Sequence, residues 1–246
     1  MKDYEFLSQA TITIEDVKKE IVSESYLFNV LKWLTKKNRI KKLKGGLYAT
    51  INPLTKDLFI NKYEIATALY SDTAVAYHSA LEFHGIANQV YFDVHVISSK
   101  RYSPVDIEGL EYMFFKTDYI DGILECEQNT TIRVTELERT VVDCIDRIDI
   151  AGGLEEVFYA LSAITYCDEI KLLSHLKKYD KKFLYKKVGY LFSILKPKYL
   201  SENFYQICKQ NISNRNDDIR ENKAASSEYI KDWKLIAPKK IINTEN

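Results

Sequence analysis

Apolar residues recur at Leu27, Val30, Leu31 and Leu34, the spacing of one helical face. A helix is therefore predicted from caps at Ser23-Glu24-Ser25 to about Asn38. At about 100° per residue, Ser25, Asn29, Lys32 and Lys36 fall in a single stripe on the opposite face. A shorter helix is predicted before it, opened by Thr13 as a cap, with Glu15 and Asp16 beside the positive end of the helix dipole. After it, Ile40–Ala49 reads as two strands around Gly45-Gly46, because glycine accepts the positive φ angles of a tight hairpin.

Helix, short turn, helix and basic hairpin follow in the order of a winged helix-turn-helix, expected over residues 1–55. The stripe would then face base edges in the major groove. Asn29 can pair bidentately with adenine, while Lys32 and Lys36 can reach guanine or phosphate. Lys41, Lys42 and Lys44 on the hairpin would hold the DNA backbone. Ser25, Tyr26 and Arg39 complete the candidate DNA-binding set. A lysine-rich helix face is ordinarily only a solvated face. Residues 25–50, however, carry seven basic side chains and no acid.

Beyond Asn52-Pro53-Leu54-Thr55-Lys56-Asp57, which reads as a linker, the pattern changes. Tyr63–Tyr70 and Ala74–Phe83 predict short helices. Val90–Ile97, Leu110–Lys116 and Thr130–Val134 predict strands. Leu137, Val141, Val142, Cys144, Ile145 and Ile148 line one helical face, with Glu138, Arg139, Asp143 and Asp146 opposite. Leu154–Ile164 forms a further stripe after Gly152-Gly153, and helices are predicted over Glu169–Lys178, Asp180–Leu195 and Lys198–Gln210. The expected class is α+β: the winged helix plus a larger, mostly helical domain with a small β-sheet over residues 58–246.

Two segments carry a resemblance. Tyr77-His78-Ser79-Ala80-Leu81-Glu82-Phe83-His84-Gly85-Ile86 is similar to the pattern Y-x-S-A-L-x-x-H-G-L. Val134-Thr135-Glu136-Leu137-Glu138-Arg139-Thr140-Val141-Val142-Asp143 is similar to V-x-x-x-E-R-T-L-x-D, with Gly152-Gly153 following. With the amino-terminal elements, and over roughly residues 10–195, the chain resembles the AbiEi family, antitoxins of bacterial type IV (AbiE) toxin–antitoxin systems active in abortive infection. The resemblance implies an autorepressor that binds repeats in the double-stranded promoter DNA of its own operon. It also implies a second domain that counteracts a nucleotidyltransferase-like toxin without a stable complex. The alternative is a winged-helix transcription factor whose larger domain senses a ligand or partner.

Composition narrows the classes further. The chain has 246 residues and no net charge, but the balance is uneven. Residues 1–60 carry 11 basic and 7 acidic side chains, residues 61–170 carry 7 and 20, and residues 171–246 carry 17 and 8. No apolar run suggests a membrane span, and Met1–Glu5 lacks the layout of a signal peptide, so a cytoplasmic protein is expected. Four scattered cysteines read as buried apolar residues. None of His78, His84, His95 and His175 forms a metal-binding helical pair. Glu169-Ile170-Lys171 matches a bare nuclease E-x-K but falls in a helical stretch. Gly152-Gly153 lacks the Lys-Ser/Thr of a phosphate-binding loop. No enzyme activity, metal or cofactor is expected, and the protein is expected to be a monomer in solution.

Overall fold

The computed structural model describes residues 4–223 and 226–241. It is a mixed α and β protein of two compact units. The first unit combines the chain up to Val75 with Phe92–Val134, and the second combines Ala76–Tyr91 with the chain from Thr135.

In the first unit, β1 (Thr11–Thr13) runs directly into α1 (Ile14–Glu20). Thr13 and Asp16 cap that helix reciprocally, each accepting from the other's backbone N–H at 3.2 and 3.0 Å. After Ile21-Val22-Ser23 comes α2 (Glu24–Lys36), then β2 (Ile40–Lys44) and β3 (Leu47–Thr50). The helix stops two residues short of the expected end, and Asn38 turns left-handed at φ 50°. Ser23 holds the cap position, but its side chain makes no capping bond. The strands form an antiparallel sheet in the order β1-β3-β2. Phe6, Ile12, Val17, Leu27, Leu34 and Ile40 fill its core.

The expected linker is a closed turn. Asn52 N–H donates to the Asp57 carbonyl at 2.8 Å, Lys56 N–H returns to the Asn52 carbonyl at 2.9 Å, and Ile51 bridges to Leu58. Asn52 Oδ1 also accepts from Leu54 N–H at 2.9 Å, an Asx turn. Polar residues and a proline therefore mark a tight reversal inside the first unit, and the compact units divide elsewhere.

The rest of this unit comprises α3 (Lys62–Ala68), β4 (Thr73–Val75), β5 (Asp93–Ser98), β6 (Val105–Ile107), β7 (Leu110–Lys116), β8 (Ile123–Glu127) and β9 (Thr131–Thr135). Six strands order as β6-β7-β5-β4-β9-β8. The β5/β7 and β4/β9 pairs are parallel, while β4/β5 and β6/β7 are antiparallel. The sheet is larger than expected. Thr73–Val75, of which Ala74 and Val75 are predicted to be helical, is its buried β4, and the strand expected from Val90 begins at Asp93. Val90 and Phe92 instead stand in solvent. Strands β6 and β8 are short edge strands, which leave little alternation in the sequence.

The second unit contains α4 (Tyr77–Phe83), α5 (Leu137–Asp146), α6 (Leu154–Ala163), α7 (Glu169–Tyr179), α8 (Lys182–Leu195) and α9 (Glu202–Gln210). The carboxy-terminal segment adds β10 (Asp217–Asp218), β11 (Ser227–Ile230) and β12 (Leu235–Pro238), ordered β10-β12-β11. Cys144, Cys167 and Cys208 are buried here, and burial pushes the Cys208 thiol up to about 12. No helix among the described residues is long and apolar enough to cross a membrane.

Gly189, in the middle of α8, lets an aromatic ring pack directly against the helix backbone. A Cβ at Gly189 would lie 2.2 Å from the Trp233 ring, which is buried and donates through Nε1 to Ser193 Oγ at 3.2 Å. Alanine would favour the helix by about 1 kcal/mol, whereas overpacking a fixed ring costs about 1–3 kcal/mol or more. Gly189→Ala is expected to lower stability by about 1–2 kcal/mol in urea unfolding. Adding Trp233→Leu is expected to make the double variant less unstable than the two single losses combined.

Candidate nucleic-acid interface

Leu27, Val30, Leu31 and Leu34 are buried, as their spacing requires, which fixes the rotation of α2 about its axis. Ser25, Asn29, Lys32 and Lys36 consequently stand exposed together on the outer face. Tyr26 lies at the edge of this stripe, half exposed, with its hydroxyl 3.2 Å from that of Tyr4. Two outward aromatics were not singled out from the sequence: Phe28 is 51% and Trp33 39% exposed. Their positions on the wheel could have revealed them, since neither shares the angle of the four core residues.

The hairpin behaves differently from its expected role. Gly46 closes it at φ +78°, and a bulge between Lys42 and Lys44 disturbs the register. Lys42 is exposed. Lys41 is half-buried and pairs with Glu108. Lys44 turns back onto the chain, donating to the Leu69 carbonyl with its ammonium 3.6 Å from the Tyr70 ring centre. Burial pushes its ammonium pKa down. Tyr70 stacks on Tyr102, ring centres 3.5 Å apart, and Tyr102 donates to Asp72 at 2.8 Å. Arg39 is half-buried at the end of α2. Of the nine candidate residues, Ser25, Asn29, Lys32, Lys36 and Lys42 are exposed, Tyr26 borders them, Arg39 is half-buried, and Lys41 and Lys44 are engaged within the chain.

The two motifs that carry the family resemblance build the interior of the second unit. His84 ends α4 with Nε2 2.8 Å from the Thr135 carbonyl. Buried His78 lies 3.2 Å from Glu156 Oε1, which also accepts from the backbone N–H groups of Asn88 and Gln89 at 2.8 and 3.2 Å. Glu138, Arg139 and Asp143 were expected on the polar side of α5, and they are buried because α7 covers that side. Arg139 Nε pairs with Asp143 Oδ2 at 3.3 Å, and Tyr179 donates to the same carboxylate. Burial pushes the Asp143 carboxyl up, against the pull of Arg139. Glu136 accepts from Lys171 at 2.7 Å and lies 2.7 Å from His175 Nε2. Burial would raise its carboxyl, but these two partners hold it below the usual range.

Glu169-Ile170-Lys171 and Gly152-Gly153 are engaged within the chain. Glu169 accepts from the backbone and hydroxyl of Ser201, at 2.5 and 2.8 Å, while Lys171 serves Glu136. Gly152 and Gly153 hold φ angles of +98° and +95°, and Glu221 takes the following N–H of Leu154 at 2.7 Å. That helix start therefore receives its carboxylate from the chain itself. Among the described residues, no three His, Cys, Asp or Glu side chains gather as metal ligands.

No family model and no curated protein sequence matches the chain. Among solved structures, the chain is similar to the RV2827C protein from Mycobacterium tuberculosis, with a TM-score of 0.70 at 13% identity. The similarity covers 94% of this chain and 87% of that one. At that identity the likeness concerns the fold.

The buried ion pair yields a test. Arg139→Met leaves Asp143 buried without its cation and is expected to cost about 3–5 kcal/mol. A carboxyl raised by burial destabilises the fold most when ionised, so stability is lost as pH rises through its folded pKa. The gap between variant and wild type is therefore expected to narrow from pH 7 toward pH 5, measured by urea unfolding at each pH.

Proposed function

We propose that the protein is a winged helix-turn-helix repressor of its own operon and the antitoxin of a type IV system. The observation that carries the DNA-binding part is the outward face of α2. Its Ser25, Asn29, Lys32 and Lys36 stand exposed on a helix whose other side is locked in the core. The preceding three-residue turn and the following hairpin, with Lys42 exposed, are consistent with such a motif and support the reading. Lys32, Lys36 and Lys42 neutralise phosphates, and Asn29 reads an adenine. Antitoxin activity rests on the AbiEi-like motifs, whose residues meet in the second unit. A ligand-sensing transcription factor has one observation in its favour. The second unit holds a cleft of about 540 Å³, lined by Trp233, Tyr205, Lys196, Lys209 and Lys231 among others.

Because a cut at residue 57 would pass inside the first compact unit, the two activities are best separated by surface substitutions in the full chain. Lys32→Glu with Lys42→Glu is expected to abolish promoter binding while leaving the fold intact. Lys42→Ala alone is expected to reduce the slope of log affinity against log salt by about one. Lys44→Met is expected to leave that slope unchanged, because its ammonium is engaged within the chain. Co-expression with the toxin then decides between the readings. Growth rescued by the Lys32→Glu/Lys42→Glu protein with a derepressed promoter supports the antitoxin. No rescue by the folded wild-type protein favours the transcription factor. Duplex binding that survives the double charge reversal would overturn the interface.

A further inference from the structure

Phe28 and Trp33 give α2 more outward apolar surface than a solvated helix needs. Neither joins the core of the first unit. They flank the polar stripe on opposite sides. Phe28 lies beside Ser25 and Lys32, at i−3 and i+4, and Trp33 beside Asn29 and Lys36, at i−4 and i+3. Single exposed apolar residues are ordinary, but an aromatic on each side of an acid-free stripe asks for an apolar partner that also carries negative charge.

Double-stranded DNA is such a partner. Its major groove displays one apolar group at the base edges, the 5-methyl of thymine, between two rows of phosphates. A second copy of this chain fits worse. Two-fold docking through α2 would set Lys32 and Lys36 against their own counterparts, and like charges at contact distance repel. We propose that Phe28 is a specificity-determining residue that packs on a thymine methyl, so that α2 selects A·T base pairs. The proposal rests on the DNA-binding reading above. Phe28 and Asn29 share the second turn of the helix, near the end that enters the groove in such motifs. An A·T pair offers both what they need: the N6/N7 edge of adenine for the amide and the methyl of thymine for the ring. Lys32, one turn beyond Phe28, anchors the adjoining phosphate.

The test uses the full-length protein and duplexes that it selects from a random pool. Each thymine of the selected site is replaced in turn by deoxyuridine, which removes only the methyl. Wild-type affinity is expected to fall about fourfold at one position per helix, the factor for burying one methyl-sized group. Phe28→Ala is expected to lose a similar factor on the thymine duplex and to ignore the replacement. Phe28→Leu, still apolar, is expected to retain part of the response. Selected sites without A·T preference, or wild-type binding that needs Lys32 and Lys42 but ignores the methyl, would overturn this proposal alone. A Phe28→Ala protein that binds DNA normally but changes its sedimentation would also overturn it, assigning the ring to self-association. No duplex binding by the wild-type protein would overturn both readings.

Discussion

The rotation of α2 about its own axis is the constraint on which the candidate interface depends. Four buried side chains, Leu27, Val30, Leu31 and Leu34, set that rotation, and they do so without any polar contact. Burying each contributes about 1.5–3 kcal/mol relative to exposure, so turning the helix to hide its lysines would forfeit more than surface charge could return. The outward direction of Asn29 and Lys32 therefore follows from the apolar residues between them. A substitution at Leu31 would disturb the proposed interface as surely as one at Lys32, though by loosening the helix and not by removing a contact.

The second unit is organised by the opposite kind of interaction. Its interior contains Arg139, Asp143, Glu138, His78 and Glu156, groups that are seldom fully buried unless partnered. Each has taken a specific partner: a carboxylate, a phenol, or the N–H groups of a loop. Such pairs add little stability over a well-packed apolar core, but losing one member is costly. Their effect is to tie α4 to α6, through His78 and Glu156, and α5 to α7, through Asp143 and Tyr179. That explains why the segments resembling a family pattern are rich in charge and yet lie inside.

Periodicity made α2 and its two faces legible, along with the hairpin and most of the later helices. It did not reveal the six-stranded sheet, because β6 and β8 are short edge strands and because Thr73–Val75 runs almost directly into a helix. The fate of charged residues was equally hidden. Glu156 sits in the first turn of α6, where an acid ordinarily faces water beside the helix dipole, but here it meets His78 and the loop at Asn88–Gln89 inside the unit. Lys44 looked like its neighbour Lys42 because a bulge cannot be read from composition. The proline-containing segment Asn52–Asp57 reads as a linker because a tight turn and a linker draw on the same residues.

The engagement of Lys44 has a thermodynamic side. A lysine held in one rotamer loses up to about 2 kcal/mol of side-chain entropy. In this hairpin that loss accompanies folding, when the ammonium settles over Tyr70 and the Tyr70–Tyr102 stack is braced by Asp72. The strand that bears Lys42 is thereby stiffened before it meets anything. On the proposed reading, fewer degrees of freedom remain to be frozen on contact with a polyanion. On the same reading, the clamp favours ligands whose shape already matches the hairpin.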